Sequence, residues 1–392
     1  MPLRARFRPL TVLGGALVAL ALGLALILPG RTANTDSPAA GNDLYRVYVE
    51  DDAAGDGIGV FSIGTGPSHP AGEGLSLLSG GDTGEAANSF LTLRSYTTGT
   101  DYVQTSSGTA SGNLTVGLNE FGSLEPIGTT GYRTTFQLPG PIDTPEALRI
   151  MLDVNVTGDK YADSAVEITT TASNMDVIPV RFGLRYLLDL DVAGDDGPIL
   201  ITEKASLAPL NMEDSFEPPD FPVFRAEDNN DSRPALSLVG TVSAEFPDIA
   251  PATTSPDVLK YALWPDAFAT AFDYTIQDRD IATSTGRDDS AVLYYFGATE
   301  KDALTLQPGE TLTVSISLFA TLPPVGSEDC NNGEDDDGDR LTDSKDSDCD
   351  ASPISPTPAP TETALPTPAA LPPTGGDPTT GAPRRWIAPH RS

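Results

Sequence analysis

Hydrophobic and polar positions alternate with a period of two through much of the chain between Asp43 and Leu322. In "RIMLDVNVTG", Ile150, Leu152, Val154 and Val156 fall on one face, while Met151, Asp153, Asn155 and Thr157 fall on the other. Successive side chains of a strand point to opposite sides, so this pattern predicts a strand with one buried face. The spacing recurs at Val166 and Ile168 in "SAVEITTTAS" and at Leu312, Val314, Ile316 and Leu318 in "TLTVSISLFA", and "DLYRVYVED" opens the region similarly. Clusters of Gly, Asp, Asn and Pro separate the runs and mark turns. Helical spacing is confined to "TPEALRIM" and "SPDVLKYALW", which predict single turns or short helices. About a dozen strands without alternating helices predict an all-β fold over residues 43–322, a large antiparallel β-sandwich or supersandwich.

The flanks follow other rules. In residues 1–30, Arg4, Arg6 and Arg8 precede an uncharged apolar run from Leu10 to Leu28, the pattern of an export signal. The run approaches the roughly 20 residues that span a bilayer, so an uncleaved anchor fits the same residues. Residues 31–42 are a polar linker. Residues 323–350 are acidic and carry both cysteines, Cys330 and Cys349, and residues 351–392 form a Pro/Thr-rich tail whose proline density predicts a disordered, extended stalk.

Charge narrows the partners. The 392-residue chain has 23 Lys+Arg against 56 Asp+Glu, a formal net charge of −33. Such a field repels nucleic acid and anionic membranes, which leaves the N-terminal segment, if uncleaved, as the expected membrane contact. Paired cysteines bracketing an acidic stretch suggest a disulfide and an oxidising compartment, so the protein is expected to be exported, extracellular or at the cell surface.

The stretch "DDDGDRLTDSKD" can be tested as a calcium loop. With Gly338 at the sharp turn of a twelve-residue loop, Gly333 and Ser344 occupy the end positions and supply no carboxylate. Shifting by two places puts Asp335, Asp337 and Asp339 at positions one, three and five, the Leu341 carbonyl at seven, Asp343 at nine and Asp346 at twelve. This register resembles the calcium loops of dockerins and thrombospondin-type repeats, and the segments between cysteines of many bacterial surface proteins. Arg340, however, takes the place of the turn glycine, and Asp346 is shorter than the usual bidentate Glu. Calcium binding, where it occurs, is therefore expected at about 0.1–1 mM. A Cys330–Cys349 bridge would close a loop of about 20 residues and restrain the unfolded chain by roughly 3 kcal/mol. The competing reading is a solvated acidic spacer.

In the tail, Leu371, Pro372, Pro373, Thr374 and Gly375 match the LPxTG signal that sortases cleave. Arg384 and Arg385 follow, but no apolar span separates them from the motif. A chance match in a tail crowded with Leu, Pro and Thr is the alternative.

"VEITTTASN" followed by "IPVRFGLRYLLDLDV" resembles the large sandwiches of the galactose mutarotase-like group, in which long strands carry sugar-binding residues. That resemblance implies chemistry on two histidines and a glutamate, whereas His69 is the one histidine of the β-rich region and its Gly-rich loop predicts exposure. Glycosidases need two carboxylates instead, which an acidic chain supplies readily. The alternation in "VRFGLRYLLDLDV" turns Val180, Phe182, Leu184, Tyr186, Leu188 and Leu190 inward and lines the other face with Arg181, Arg185, Asp189 and Asp191. This row could hydrogen-bond sugar hydroxyls or form solvated ion pairs. Trp264 could stack on a sugar ring or anchor a core. "AGDDGP", with Asp195 and Asp196, predicts a turn.

These features predict an exported β-sandwich protein that binds or displays at the cell surface without catalysis, with cell-wall or extracellular glycan as a partner. The alternative is a carbohydrate-binding protein or carbohydrate-active enzyme of mutarotase-like fold. No catalytic residue is assigned.

Overall fold

Residues Leu148–Thr157 form a strand in which buried and half-exposed positions alternate over its full length. It pairs antiparallel with Ala165–Asn174, which in turn pairs with Thr311–Thr321, so the three most regular runs in the sequence become neighbours. A computed structural model describes residues 37–52, 57–104, 108–140, 146–202, 209–228, 236–244, 253–283 and 286–322. The chain forms two units, residues 1–350 and 351–392, and every described residue lies in the first.

Two large sheets dominate. The nine-stranded sheet runs in the order Pro209–Leu210, Ile199–Thr202, Val223–Glu227, Ser237–Thr241, Thr311–Thr321, Ala165–Asn174, Leu148–Thr157, Gly131–Leu138 and Gly122–Ile127. The eight-stranded sheet runs through Asp214–Phe216, Val258–Leu263, Ser290–Phe296, Val180–Asp189, Phe90–Ser95, Thr100–Val103 and Leu114–Gly117, with Leu304–Leu306 paired to one end of Val180–Asp189. A smaller sheet joins Ala39–Gly41, Tyr45–Val49 and Phe61–Thr65, so residues assigned by sequence to the linker contribute a strand.

The main core forms where the alternating apolar positions of the two large sheets meet. Leu152, Val154, Ile168, Ile316 and Leu318 come from one side, and Leu184, Tyr186, Leu188, Val292 and Tyr294 from the other. Each fully buried aliphatic side chain contributes about 1.5–3 kcal/mol relative to exposure. Buried tyrosines also tie the sheets by their hydroxyls: Tyr186 donates to Thr170 Oγ1 at 2.6 Å and Tyr294 to the Thr241 carbonyl at 3.0 Å. A phenol reaches across the apolar layer and still satisfies its O–H, which is why tyrosine suits these positions.

The outer face of the eight-stranded sheet departs from the expectation of a solvated row. Val180–Asp189 is buried at every position but Arg181, because residues 264–276 lie over its outer face and build a second apolar cluster with Phe90, Leu187, Val258, Leu293 and Tyr295. Gly183 makes room for this cover: a Cβ there would stand 2.3 Å from the Gly297 carbonyl oxygen and 3.0 Å from the Phe272 ring.

Three local expectations also change. "SPDVLKYALW" is a strand, Val258–Leu263, because it joins the buried sheet, and the helix starts after it at Trp264–Phe268. In "TPEALRIM" the residues from Leu148 onward are extended. His69 is 4% exposed, with its ring between those of Tyr45 and Tyr161 at 5.5 and 5.4 Å. The N-terminal residues 1–36, the pair Cys330 and Cys349, the calcium-loop residues Asp335, Asp337, Asp339, Leu341, Asp343 and Asp346, and the motif Leu371, Pro372, Pro373, Thr374 and Gly375 all lie outside the described residues.

Candidate functional site

The outer face of the eight-stranded sheet carries polar residues at the positions where strand alternation turns them away from the main core. Arg94 and Asp101 stand directly opposite each other in neighbouring strands. Arg94 Nε and Nη2 donate to the two Asp101 carboxylate oxygens at 2.6 and 2.8 Å, and Nη1 donates to Asp273 Oδ2 at 2.6 Å. Its guanidinium also lies 4.6 Å from the centroid of the Phe272 ring. A planar fork matches a carboxylate in this bidentate way, which a lysine could not reproduce.

Asp101 is fully buried and receives further hydrogen bonds from Ser111 and from Asn113 Nδ2. Burial pushes its pKa upward, but the hydrogen bonds from Arg94, Ser111 and Asn113 outweigh that and hold it below the usual value. Asp273 differs from its neighbour: its side chain is 66% exposed, so it presents a carboxylate to the surface while Arg94 fixes its direction.

Asp273, Ala298 and Thr299 are shared by two adjoining cavities of about 420 and 250 Å³. Arg94, Tyr96, Asn113 and Glu300 line the larger one, and Glu217, Lys260, Tyr274 and Tyr295 line the smaller. Lys260 donates to the Tyr274 carbonyl at 2.7 Å and lies 5.3 Å from the Tyr295 ring centroid. Burial lowers the pKa of this ammonium, opposed by the negative charges of Glu217 and Asp273. Tyr96 donates to the Gly297 carbonyl at 2.8 Å, and burial pushes its phenol up to about 12. The groove therefore offers fixed donors and acceptors beside three tyrosine rings and the exposed carboxylates of Glu217, Asp273 and Glu300.

The wall that carries Asp273 is held at two places. Arg185, 0% exposed, donates through Nη1 to Thr270 Oγ1 and the Phe272 carbonyl at 2.9 and 3.1 Å, through Nη2 to the Thr270 carbonyl at 3.1 Å, and through Nε to Thr92 Oγ1 at 3.0 Å. Burial lowers its pKa, opposed by Tyr295 and by the charges of Asp101 and Asp273. Further along, the buried Glu213 carboxylate accepts from Tyr274, from the backbone N–H groups of Leu263 and Gln277 at 3.2 and 3.0 Å, and from Arg279. Burial would raise the Glu213 pKa, but these donors outweigh it and lower it.

The residues singled out by sequence thus separate. Arg181 stays at the surface, where it pairs with Glu300 at 3.1 Å beside the larger cavity. Arg185 is a buried clamp rather than a ligand-facing side chain. Asp189 and Asp191 are buried at the far end of the same strand. Trp264 is half-buried, its ring 4.7 Å from that of Phe268, and its backbone N–H donates to the Asp289 carbonyl at 3.0 Å. The turn predicted at Asp195 and Asp196 is present as a bridge between Val192 and Asp195.

Arg94, Asp101, Lys260 and Asp273 were not singled out by sequence. Arg94 could have been found as a charged residue at an alternating position in "FLTLRS", but the loop residue Asp273 carries no periodic signal.

No family model matches the chain, and no curated protein matches it. Among solved structures, it is similar to a galactose mutarotase-like protein from Lactobacillus casei, with 9% identity and a TM-score of 0.42 over 72% of this chain and 99% of that one. A galactose mutarotase related enzyme from Lactobacillus acidophilus has 9% identity and a TM-score of 0.39 over 72% and 96%. An α-galactosidase from Geobacillus stearothermophilus has 9% identity and a TM-score of 0.37 over 74% of this chain and 40% of its own. At such identities and scores the resemblance carries no argument about which residues act, or on what.

Proposed function

We propose that this protein is a carbohydrate-binding β-sandwich that works outside the cell and holds its ligand, without catalysis, in the groove around Asp273. The supporting observation is the pair of adjoining cavities that share Asp273, with Arg94, Asn113, Lys260 and Thr299 as hydrogen-bonding groups and Tyr274 and Tyr295 as apolar surfaces. Sugars present hydroxyls around an apolar ring face, and a few oriented polar groups beside aromatic walls suit that chemistry. Among the described residues the single histidine, His69, is not part of either cavity lining, so the histidine-dependent epimerisation implied by the sequence resemblance has no base here. Export through residues 1–30, a Cys330–Cys349 disulfide, weak calcium binding at Asp335–Asp346 and attachment through Leu371–Gly375 belong to the same proposal as devices that place and stiffen a displayed domain.

A glycan array probed with the full chain tests ligand class. Binding is expected for at least one neutral or acidic oligosaccharide, and Asp273→Ala should weaken it about tenfold or more, the loss of one charged hydrogen bond. Absence of any glycan signal, or retention of full affinity by Asp273→Ala, would remove the groove as the binding site.

A further inference from the structure

At the opposite end of the Val180–Asp189 strand, three carboxylates share one face. The ladder pairs Asp189 with Ala291; beyond it the Leu190 N–H donates to the Ser290 carbonyl at 3.2 Å while the Ser290 N–H turns to the Asp196 carbonyl at 3.0 Å, and Asp289 feels the charges of Asp191 and Asp196. Asp191 is 8% exposed, and its Oδ1 is buried with no hydrogen-bond partner; Asp289 Oδ1 is in the same condition. Asp189 is buried beside them and is held by hydrogen bonds from Asn88 and Ser79.

Among the described residues, the groups acting on this cluster add no positive charge. Asp196 and Asp82 come from the neighbouring loops and Asp288 precedes Asp289, while Ser76 and the Gly194 N–H bond to Asp191. The nearest base along the chain, Arg287, is engaged by the Leu210 carbonyl and by Asn211 and Tyr261. Among the described residues no three carboxylates converge closely enough to hold one metal ion. Buried carboxylates without a cation are relieved by protons, because the neutral acid avoids both desolvation and mutual repulsion.

Asp289 is also bound to the wall of the groove. Its carbonyl accepts the Trp264 N–H at the start of the Trp264–Phe268 helix, and that helix leads directly into the segment carrying Thr270, Asp273 and Tyr274. We propose that Asp189, Asp191 and Asp289 form a proton-operated latch: neutral, they hold the helix start against the sheet end, and ionised, they loosen it. The latch does not depend on what the groove binds.

Burial raises all three pKa values, with repulsion from neighbouring carboxylates adding to it, to about 6 for Asp191 and about 7 for Asp289 and well above the usual range for Asp189. A raised carboxylate pKa means that the folded state binds more protons than the unfolded chain between pH 4 and 7. The latch therefore stabilises most at acidic pH, and its contribution falls as pH rises through 6 and 7.

Thermal melts of the full chain at constant ionic strength test this. Tm is expected to fall by roughly 5 °C from pH 5.5 to pH 8. Asp289→Asn and Asp191→Asn, neutral mimics of the protonated acids, should raise Tm at pH 8 while changing it little at pH 5.5. With Trp386→Phe removing the second tryptophan, Trp264 fluorescence should titrate over the same range in the otherwise unsubstituted chain and flatten in Asp289→Asn. If both Asn variants follow the unsubstituted pH curve, the latch is wrong. If 1 mM calcium raises Tm at pH 8 as much as acidification does, and Asp289→Asn abolishes that rise, the cluster is a cation site and the latch is likewise overturned.

Discussion

Two groups of buried and half-buried acids lie in or beside the eight-stranded sheet and are treated in opposite ways. Around the groove wall, Asp101 and Glu213 are each surrounded by donors that include an arginine, and both pKa values are lowered. At the strand end, Asp189, Asp191 and Asp289 face other carboxylates, and their pKa values are raised. Burial alone would raise all five. The difference lies in whether a neighbouring strand or loop brings a base, and that decides whether each site strengthens or weakens as pH rises. The covering segment runs from the uncompensated cluster at Trp264 to the compensated network at Arg279, so its two ends should respond to pH with opposite sign.

The largest expected effect is on the clamp between them. Arg185→Ala removes three hydrogen bonds to the covering segment and a fourth to Thr92, and should reduce unfolding free energy by about 4 kcal/mol in denaturant titration. Arg185→Lys should recover little of it, since an ammonium cannot reproduce the planar fork. A loss below 1 kcal/mol for Arg185→Ala would mean that the wall is held elsewhere.

Glu213→Gln sharpens the comparison from the compensated end. Loss of charge from these hydrogen bonds should cost about 2 kcal/mol at pH 7. Because the Glu213 pKa is lowered, its contribution is present above about pH 4.3 and is lost as pH falls, so the difference between variant and unsubstituted chain should shrink below pH 4. A constant difference across that range would break the assignment.

Asp273→Ala should scarcely alter stability, by less than about 1 kcal/mol, because its pair with Arg94 is largely exposed on the Asp273 side. A large stability loss would make Asp273 part of the clamp rather than a ligand group. The smallest effect concerns the turn beside the uncompensated cluster. Ala193 has φ 56° and Gly194 φ 91°, as in a two-residue hairpin loop with both positions left-handed. Asn is better tolerated there than Ala, so Ala193→Asn should stabilise by about 0.5 kcal/mol, measured as a shift in denaturation midpoint.

The strands were legible because their alternation is local. Each of Ile150, Leu152, Val154 and Val156 meets the core through the pleat of its own strand, so a period of two is sufficient to assign them. The same rule placed Arg185 and Asp189 opposite the main core correctly, but it could not show that a second layer covers that face. Residues 264–276 are distant in sequence, and what brings them there is the fit of Phe272 over Gly183 and the hydrogen bonds of Arg185. "SPDVLKYALW" is ambiguous for a related reason: its spacing fits a helix as well as a doubly buried strand, and pairing with Ser290–Phe296 selects the strand.

By itself, then, the sequence determined the all-β class and which faces of its regular strands are apolar, because periodicity and turn residues are properties of adjacent positions. Only the tertiary structure decided which charged residues are exposed, which carboxylates meet a base, and which loop residue completes the groove. Those outcomes depend on contacts between segments far apart in the chain, where burial and the sign of the neighbouring charge are set together.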